Sequence, residues 1–125
     1  MSRPLDPHKD ILITVGTMQV LDLAARAFLT QGNEVIVFEL FYVYYRNLIL
    51  QNGGKMVTVP LRVKNGTSGQ SSSDWTFDRN ELESKVTNKT KLILFNNPNN
   101  PLGKVKFKLI TWYKKTLNIL LGIYS

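Results

Sequence analysis

The sequence predicts an α/β fold, an αβα sandwich on a largely parallel sheet, and three observations carry that prediction. Short runs rich in β-branched and aromatic residues alternate with stretches whose apolar residues recur at helical spacing, the pattern of a sheet with helices on its faces. The run Lys91-Leu92-Ile93-Leu94-Phe95 stops in a string of Asn and Pro, as a central strand does when it delivers a rigid polar turn to its carboxyl end. Gly16 stands where a β-rich run gives way to a helical pattern.

Ile11-Leu12-Ile13-Thr14-Val15 has the composition of a first strand, near 11–15. After Gly16, residues Val20, Leu21, Ala24, Ala27 and Phe28 predict a helix near 18–31, ended by Gly32-Asn33. Glu34-Val35-Ile36-Val37-Phe38 is the next strand (34–38). Tyr45, Leu48 and Leu50 mark a second helix near 42–52, closed by Gly53-Gly54. Met56–Leu61 reads as a strand, and Asn65–Asp74, rich in Gly and Ser, as a surface loop. Asp78 and Glu81 have capping-box spacing for a helix near 79–86. The strand at 91–95 follows. In the last twenty residues, Leu109, Tyr113, Leu117 and Leu120 predict an amphipathic helix.

Size and charge narrow the function. A chain of 125 residues with 43% apolar content has room for one small domain with a core. There is no Cys, which excludes disulfides and thiolate metal sites and fits a reducing compartment; the cytoplasm is the expected location and the mitochondrion the alternative. No apolar run approaches the roughly 20 residues of a membrane-spanning helix. The net charge of +7 divides into +2 for residues 1–103 and +5 for residues 104–125, which hold five Lys and no acid. A basic tail with aromatics but no Arg does not make a nucleic-acid-reading face.

Two places carry chemistry. Val15-Gly16-Thr17-Met18 lies where the N–H groups at a helix start lack internal partners and the dipole is positive, a corner suited to phosphate. Asn96-Asn97-Pro98-Asn99-Asn100-Pro101-Leu102-Gly103 presents amides whose backbone is restrained by prolines, at the sheet end where open α/β folds bind ligands. His8, the single His, lies in a polar leader and is expected to be exposed. No metal cluster is expected.

The string from Asn96 to Val105 resembles the N-x-P-x-N-P-x-G signature of the fold-type I aminotransferases, which use pyridoxal 5′-phosphate (PLP). The resemblance runs from about Asp10 to Val105. Ser71–Asp78, Glu81–Lys85 and Pro101–Val105 are similar to the kynurenine–oxoglutarate transaminase and cysteine-S-conjugate β-lyase branch. The resemblance implies that residues 1–105 are part of the family's large domain and that 106–125 are a divergent basic tail. It implies that the turn at Gly16, Thr17 and Met18 holds the cofactor phosphate through backbone N–H groups. Gly16 matches the family pattern; Thr17 and Met18 depart from it, since relatives carry a Gly or Ala and then an aromatic. Tyr42 falls where the family stacks an aromatic ring on the pyridine, and Leu40 stands where relatives have Pro. Asn100 matches the residue that donates to the phenolic oxygen of PLP and helps bind the substrate carboxylate. Asn96 matches a neighbouring Asn that supports the turn and faces the substrate. Lys104 matches a surface lysine of the motif.

The family's Schiff-base lysine (Ser-x-x-Lys), its pyridinium-binding Asp and its carboxylate-clamping Arg motif are absent from these 125 residues. The expectation is therefore a truncated member with no catalytic residue of its own and weak or absent PLP binding. Amino acids and 2-oxo acids are the substrates implied by the family, with homodimers as its assemblies. The alternatives are a non-catalytic interaction protein or a mis-predicted or alternatively spliced fragment that pairs with a full-length homologue, or an α/β phosphate-binding module of another kind.

Overall fold

The computed structural model describes residues 4–103 and the strand at 121–123. It is a three-layer α/β arrangement around a four-stranded parallel sheet. In chain order the elements are helix α1 (Gly16–Phe28), strand β1 (Glu34–Glu39), helix α2 (Tyr44–Gln51) and strand β2 (Lys55–Pro60). Two short strands, β3 (Arg62–Val63) and β4 (Trp75–Thr76), flank a single 3₁₀ turn (Ser72–Asp74). Helix α3 (Arg79–Lys85), strand β5 (Thr90–Asn96) and strand β6 (Leu121–Ile123) complete the order. The main sheet runs β2-β1-β5-β6, with β1 parallel to both β2 and β5.

Alternation along the strands makes the layers. Val35 and Val37 of β1 and Leu92 and Leu94 of β5 face one side, where they pack with Leu21 and Ala25 of α1 and Leu48 and Ile49 of α2. Ile36, Phe38, Ile93 and Phe95 face the other side and pack with Val59, Leu61 and Leu82 of α3. A strand buried on both faces reads as a continuous apolar run, as Val35-Ile36-Val37-Phe38 does, each at most 4% exposed.

Asp78 caps α3, its carboxylate accepting from the N–H groups of Asn80 and Glu81. Glu81 does not reach back to complete a capping box. Its carboxylate instead pairs with Arg62 and with Lys85, and the Lys85 ammonium also donates to the Thr58 carbonyl at 2.6 Å. These contacts tie α3 to β2 and β3. The Arg62 guanidinium, with Lys85 beside it, holds the Glu81 carboxyl down at about 2 from the ordinary 4.5.

One expected strand is absent. Ile11–Val15 forms no ladder, and Leu12, Ile13 and Val15 are 72%, 90% and 88% exposed. The composition is that of a strand, but a strand exists only when a neighbour takes its hydrogen bonds. Both neighbours of β1 are β2 and β5, and β6 covers the far side of β5. The amphipathic helix expected over the last twenty residues lies outside the described residues except at Leu121–Ile123, which is a strand paired with Leu94–Asn96. That side of β5 is thus taken by Leu121–Ile123 and not by Ile11–Val15. The loop at 65–74 is at the surface as expected, although its ends pair as β3 and β4. His8 is exposed. Among the described residues, no helix is long and apolar enough to cross a membrane.

Two measurements follow from this packing. Leu82→Ala, at a fully buried position, is expected to lower unfolding stability by about 2–5 kcal/mol, whereas Leu50→Ala at an exposed site should change it by no more than about 0.5 kcal/mol; urea unfolding of both variants checks this. Because the Glu81 carboxyl is depressed on folding, its stabilisation is complete above the unfolded carboxylate value and is lost as pH falls from near 4.5 towards 2. Melting temperatures taken through that window should therefore fall more steeply for the parent chain than for Glu81→Gln.

Candidate functional site

Because β1 and β5 are parallel neighbours, the chain leaves both at the same end of the sheet. β1 leads into Leu40–Val43 and β5 into the Asn/Pro turn, while α1 begins at that end. A cavity of about 360 Å³ lies among them, within the size range of small-ligand pockets. Gly16, Thr17, Met18, Tyr42, Asn96 and Asn100, the six residues that the sequence nominates, all border it. Val15, Leu21 and Tyr45 complete the lining.

Gly16 opens α1 with φ +72°, a left-handed conformation that favours a residue without Cβ. A Cβ there would meet no atom within 4 Å, so backbone conformation, not crowding, accounts for the glycine. The helix start has no side-chain cap, and its first turn carries no acid. The Gln19 side chain accepts from the Val15 N–H at 2.6 Å, one residue before the helix. The positive end of α1 thus faces the cavity without an anionic side chain to neutralise it, the setting in which helix N-termini hold anions. The remaining polar lining is neutral: Thr17, two Asn amides and two phenols.

The turn after β5 is held from within. Asn99 is 7% exposed; its amide donates to the Leu40 carbonyl at 3.3 Å and its side-chain oxygen accepts from the Leu102 N–H at 3.4 Å. Asn99 therefore ties the exit of β5 to the exit of β1 and leaves Asn100 exposed at the cavity. The peptides Glu39–Leu40, Asn97–Pro98 and Asn100–Pro101 in these two segments are cis. Asn96 Oδ1 is buried and has no hydrogen-bond partner among the described residues, an unmet polar demand beside the cavity.

Tyr42 is half-buried and is bracketed by Tyr44 and Tyr45, with ring centroids 5.3 Å and 5.8 Å away. Tyr45 belongs to the core that α1 and α2 share, and burial, with Tyr42 beside it, pushes its phenol above the ordinary value. The sequence places Tyr45 among the apolar positions of the second helix, and it does not single out Asn99 within the Asn/Pro string. For Tyr45 the signal was its place among the apolar positions of the second helix, two residues into α2 and close in sequence to Tyr42. For Asn99 there was none: composition does not distinguish the amide that turns inward from its neighbour that turns out.

Asn99→Ala is expected to destabilise the fold by about 1–2 kcal/mol, because it removes the two part-buried bonds that a buried amide makes to the backbone of Leu40 and Leu102. Asn100→Ala, at an exposed position, should change stability by less than about 0.5 kcal/mol. Parallel thermal denaturation separates the structural amide from the free one.

Comparison with known proteins points to one family. The family model described as aminotransferase class I and II matches residues 2–109. Kynurenine–oxoglutarate transaminase 1 of Mus musculus is 42% identical over 107 residues, covering 84% of this chain and 25% of that protein. Kynurenine–oxoglutarate transaminase 3 of the same organism is 45% identical over 105 residues, covering 82% of this chain and 23% of the relative. The chain thus spans about a quarter of the length of the curated relatives it matches. Among solved structures, aspartate aminotransferase from Thermotoga maritima superposes with a TM-score of 0.70 at 31% identity, covering 83% of this chain and 27% of that one. Cystalysin from Treponema denticola, whose structure contains a PLP cofactor, superposes at 0.65 and 28% identity, covering 76% of this chain and 23% of that one. PLP is the cofactor of this family, and the chain belongs to the class I and II aminotransferases, of whose large domain it forms a part.

Proposed function

We propose that this chain is a cofactor-holding portion of a PLP-dependent aminotransferase that works on amino acids, kynurenine among them, and 2-oxo acids. In this reading Gly16, Thr17, Met18, Tyr42 and Asn100 hold the cofactor, and Asn96 and Asn100 face the substrate. The observation that supports it is the convergence of these residues on one cavity, between the uncapped start of α1 and the carboxyl ends of β1 and β5.

The residues fit the group. A phosphate suits backbone N–H groups at a helix start that lacks both cap and acid. Tyr42 supplies a flat ring for a planar heterocycle, and Asn100 offers an uncharged amide that donates without adding charge to the ring. The unpartnered Asn96 oxygen is matched by a ligand that brings polar groups to the sheet end. When bound, PLP supplies an electron sink for the substrate's α-carbon. Among the described residues, the side chains that line the cavity bind and orient, and none of them is a lysine. The 125 residues contain no Ser-x-x-Lys stretch, so on their own they are expected to bind without turning over. Pairing with a second copy or with a longer relative belongs to the same reading and is supported by the exposed apolar run Ile11–Val15.

Titration calorimetry with PLP, and with pyridoxine 5′-phosphate, which lacks the aldehyde that condenses with surface lysines, tests the site. Asn100→Ala and Tyr42→Ala should each weaken binding about tenfold, the scale of one good hydrogen bond or ring contact. Borohydride trapping with PLP should label several lysines at low yield, insensitive to Asn100→Ala, with no turnover of kynurenine and 2-oxoglutarate. A single lysine labelled stoichiometrically, together with turnover, would contradict the binding-only assignment.

A further inference from the structure

The unassigned feature of this site is the way the Tyr42 ring is held. Tyr42 is half-buried two residues before α2, and its ring has two aromatic neighbours of unequal burial. Tyr44, tilted 47° to it, is 52% exposed. Tyr45 stands nearly perpendicular to it, at 75° and 5.8 Å, and is 4% exposed. Tyr45 packs into the cluster that includes Leu21 and Ile49, and its backbone N–H donates to the Tyr42 carbonyl at 3.0 Å. One neighbour is half-exposed; the other is packed in the core.

We propose that Tyr45 is a positioning residue: its core-anchored ring sets the plane of Tyr42 and thereby the chain's affinity for a flat, phosphate-bearing heterocycle. This rests on the cofactor reading of the cavity. Edge-on aromatic contacts are geometrically selective, and rings in a close-packed core keep their rotamers. A ring held in one plane loses little freedom when a planar ligand lies on it, whereas a free one must be ordered at binding. The contact therefore acts on recognition of the ring and leaves the phosphate corner at α1 unaffected. Tyr45 also borders the cavity, so the test must separate action through Tyr42 from direct contact.

A double-mutant cycle with two probes does so. Wild type, Tyr45→Phe, Tyr45→Leu, Tyr42→Ala and the Tyr42→Ala/Tyr45→Leu double variant are titrated with pyridoxine 5′-phosphate and with inorganic phosphate, with thermal melting of each as a check on folding. Tyr45→Phe, which keeps the ring, should bind pyridoxine 5′-phosphate within twofold of wild type. Tyr45→Leu should weaken that binding about five- to tenfold and inorganic phosphate by less than twofold. In the Tyr42→Ala background the Leu substitution should add nothing, because interacting residues are non-additive. Equal loss for both probes, or an additive cycle, overturns the positioning role. If Tyr45→Leu does not fold, Tyr45→Met, which fills similar volume without a ring, takes its place in the cycle. Wild-type protein that fails to bind pyridoxine 5′-phosphate overturns the cofactor reading itself, before any variant is compared.

Discussion

The parallel pairing of β1 with β5 is the constraint on which the rest of the molecule depends. Strands that run the same way must release the chain at the same end, so Leu40–Tyr42 and Asn96–Asn100 emerge side by side. The pairing is held by core on both faces: Val35 and Ile36 of β1 are 0% exposed, and so is Ile93, opposite Ile36 on β5. A slip of one residue would turn Val35 and Val37 towards α3 and Ile36 and Phe38 towards α1 and α2. It would also carry the Asn/Pro turn away from the exit of β1, where the Asn99 amide meets the Leu40 carbonyl. Core packing and site assembly are thus one requirement on register.

Charge is distributed to match. At the amino end of β1, Glu34 accepts from the Thr87 hydroxyl at 2.6 Å and pairs with Lys55; the Thr87 bond first, with the lysine beside it, lowers its carboxyl below the ordinary value. Glu81, Arg62 and Lys85 form a second paired group against β2. The carboxyl end of the sheet has no carboxylate in the cavity lining and an uncapped helix dipole. An anionic ligand therefore meets fixed N–H groups and neutral amides, with no like charge to oppose it.

Much of this was legible in the sequence, and the parts that were not share a cause. Strands with two buried faces, such as Val35–Phe38, announce themselves as continuous apolar runs, and their ends matched expectation to within a residue or two. The Gly16 corner, Tyr42 and the Asn/Pro turn were visible as local chemistry and as a family resemblance, and the structure gathers them at one cavity. Ile11–Val15 was misread because strand composition says nothing about whether a partner exists. β3 and β4 were missed because two-residue strands leave no periodicity. The core place of Tyr45 was read correctly, whereas the inward turn of Asn99 is settled by long-range packing between the exits of β1 and β5.

The most direct test of the account is amide-resolved NMR of the labelled chain titrated with pyridoxine 5′-phosphate. Shifts should concentrate at Thr17–Gln19, Tyr42–Tyr45 and Asn96–Asn100, saturate together, and leave the α3 face around Leu82 and Glu81 unmoved. Shifts scattered over the surface lysines, or an Asn/Pro turn that stays silent while the α1 corner responds, would contradict a single site built at the carboxyl ends of β1 and β5.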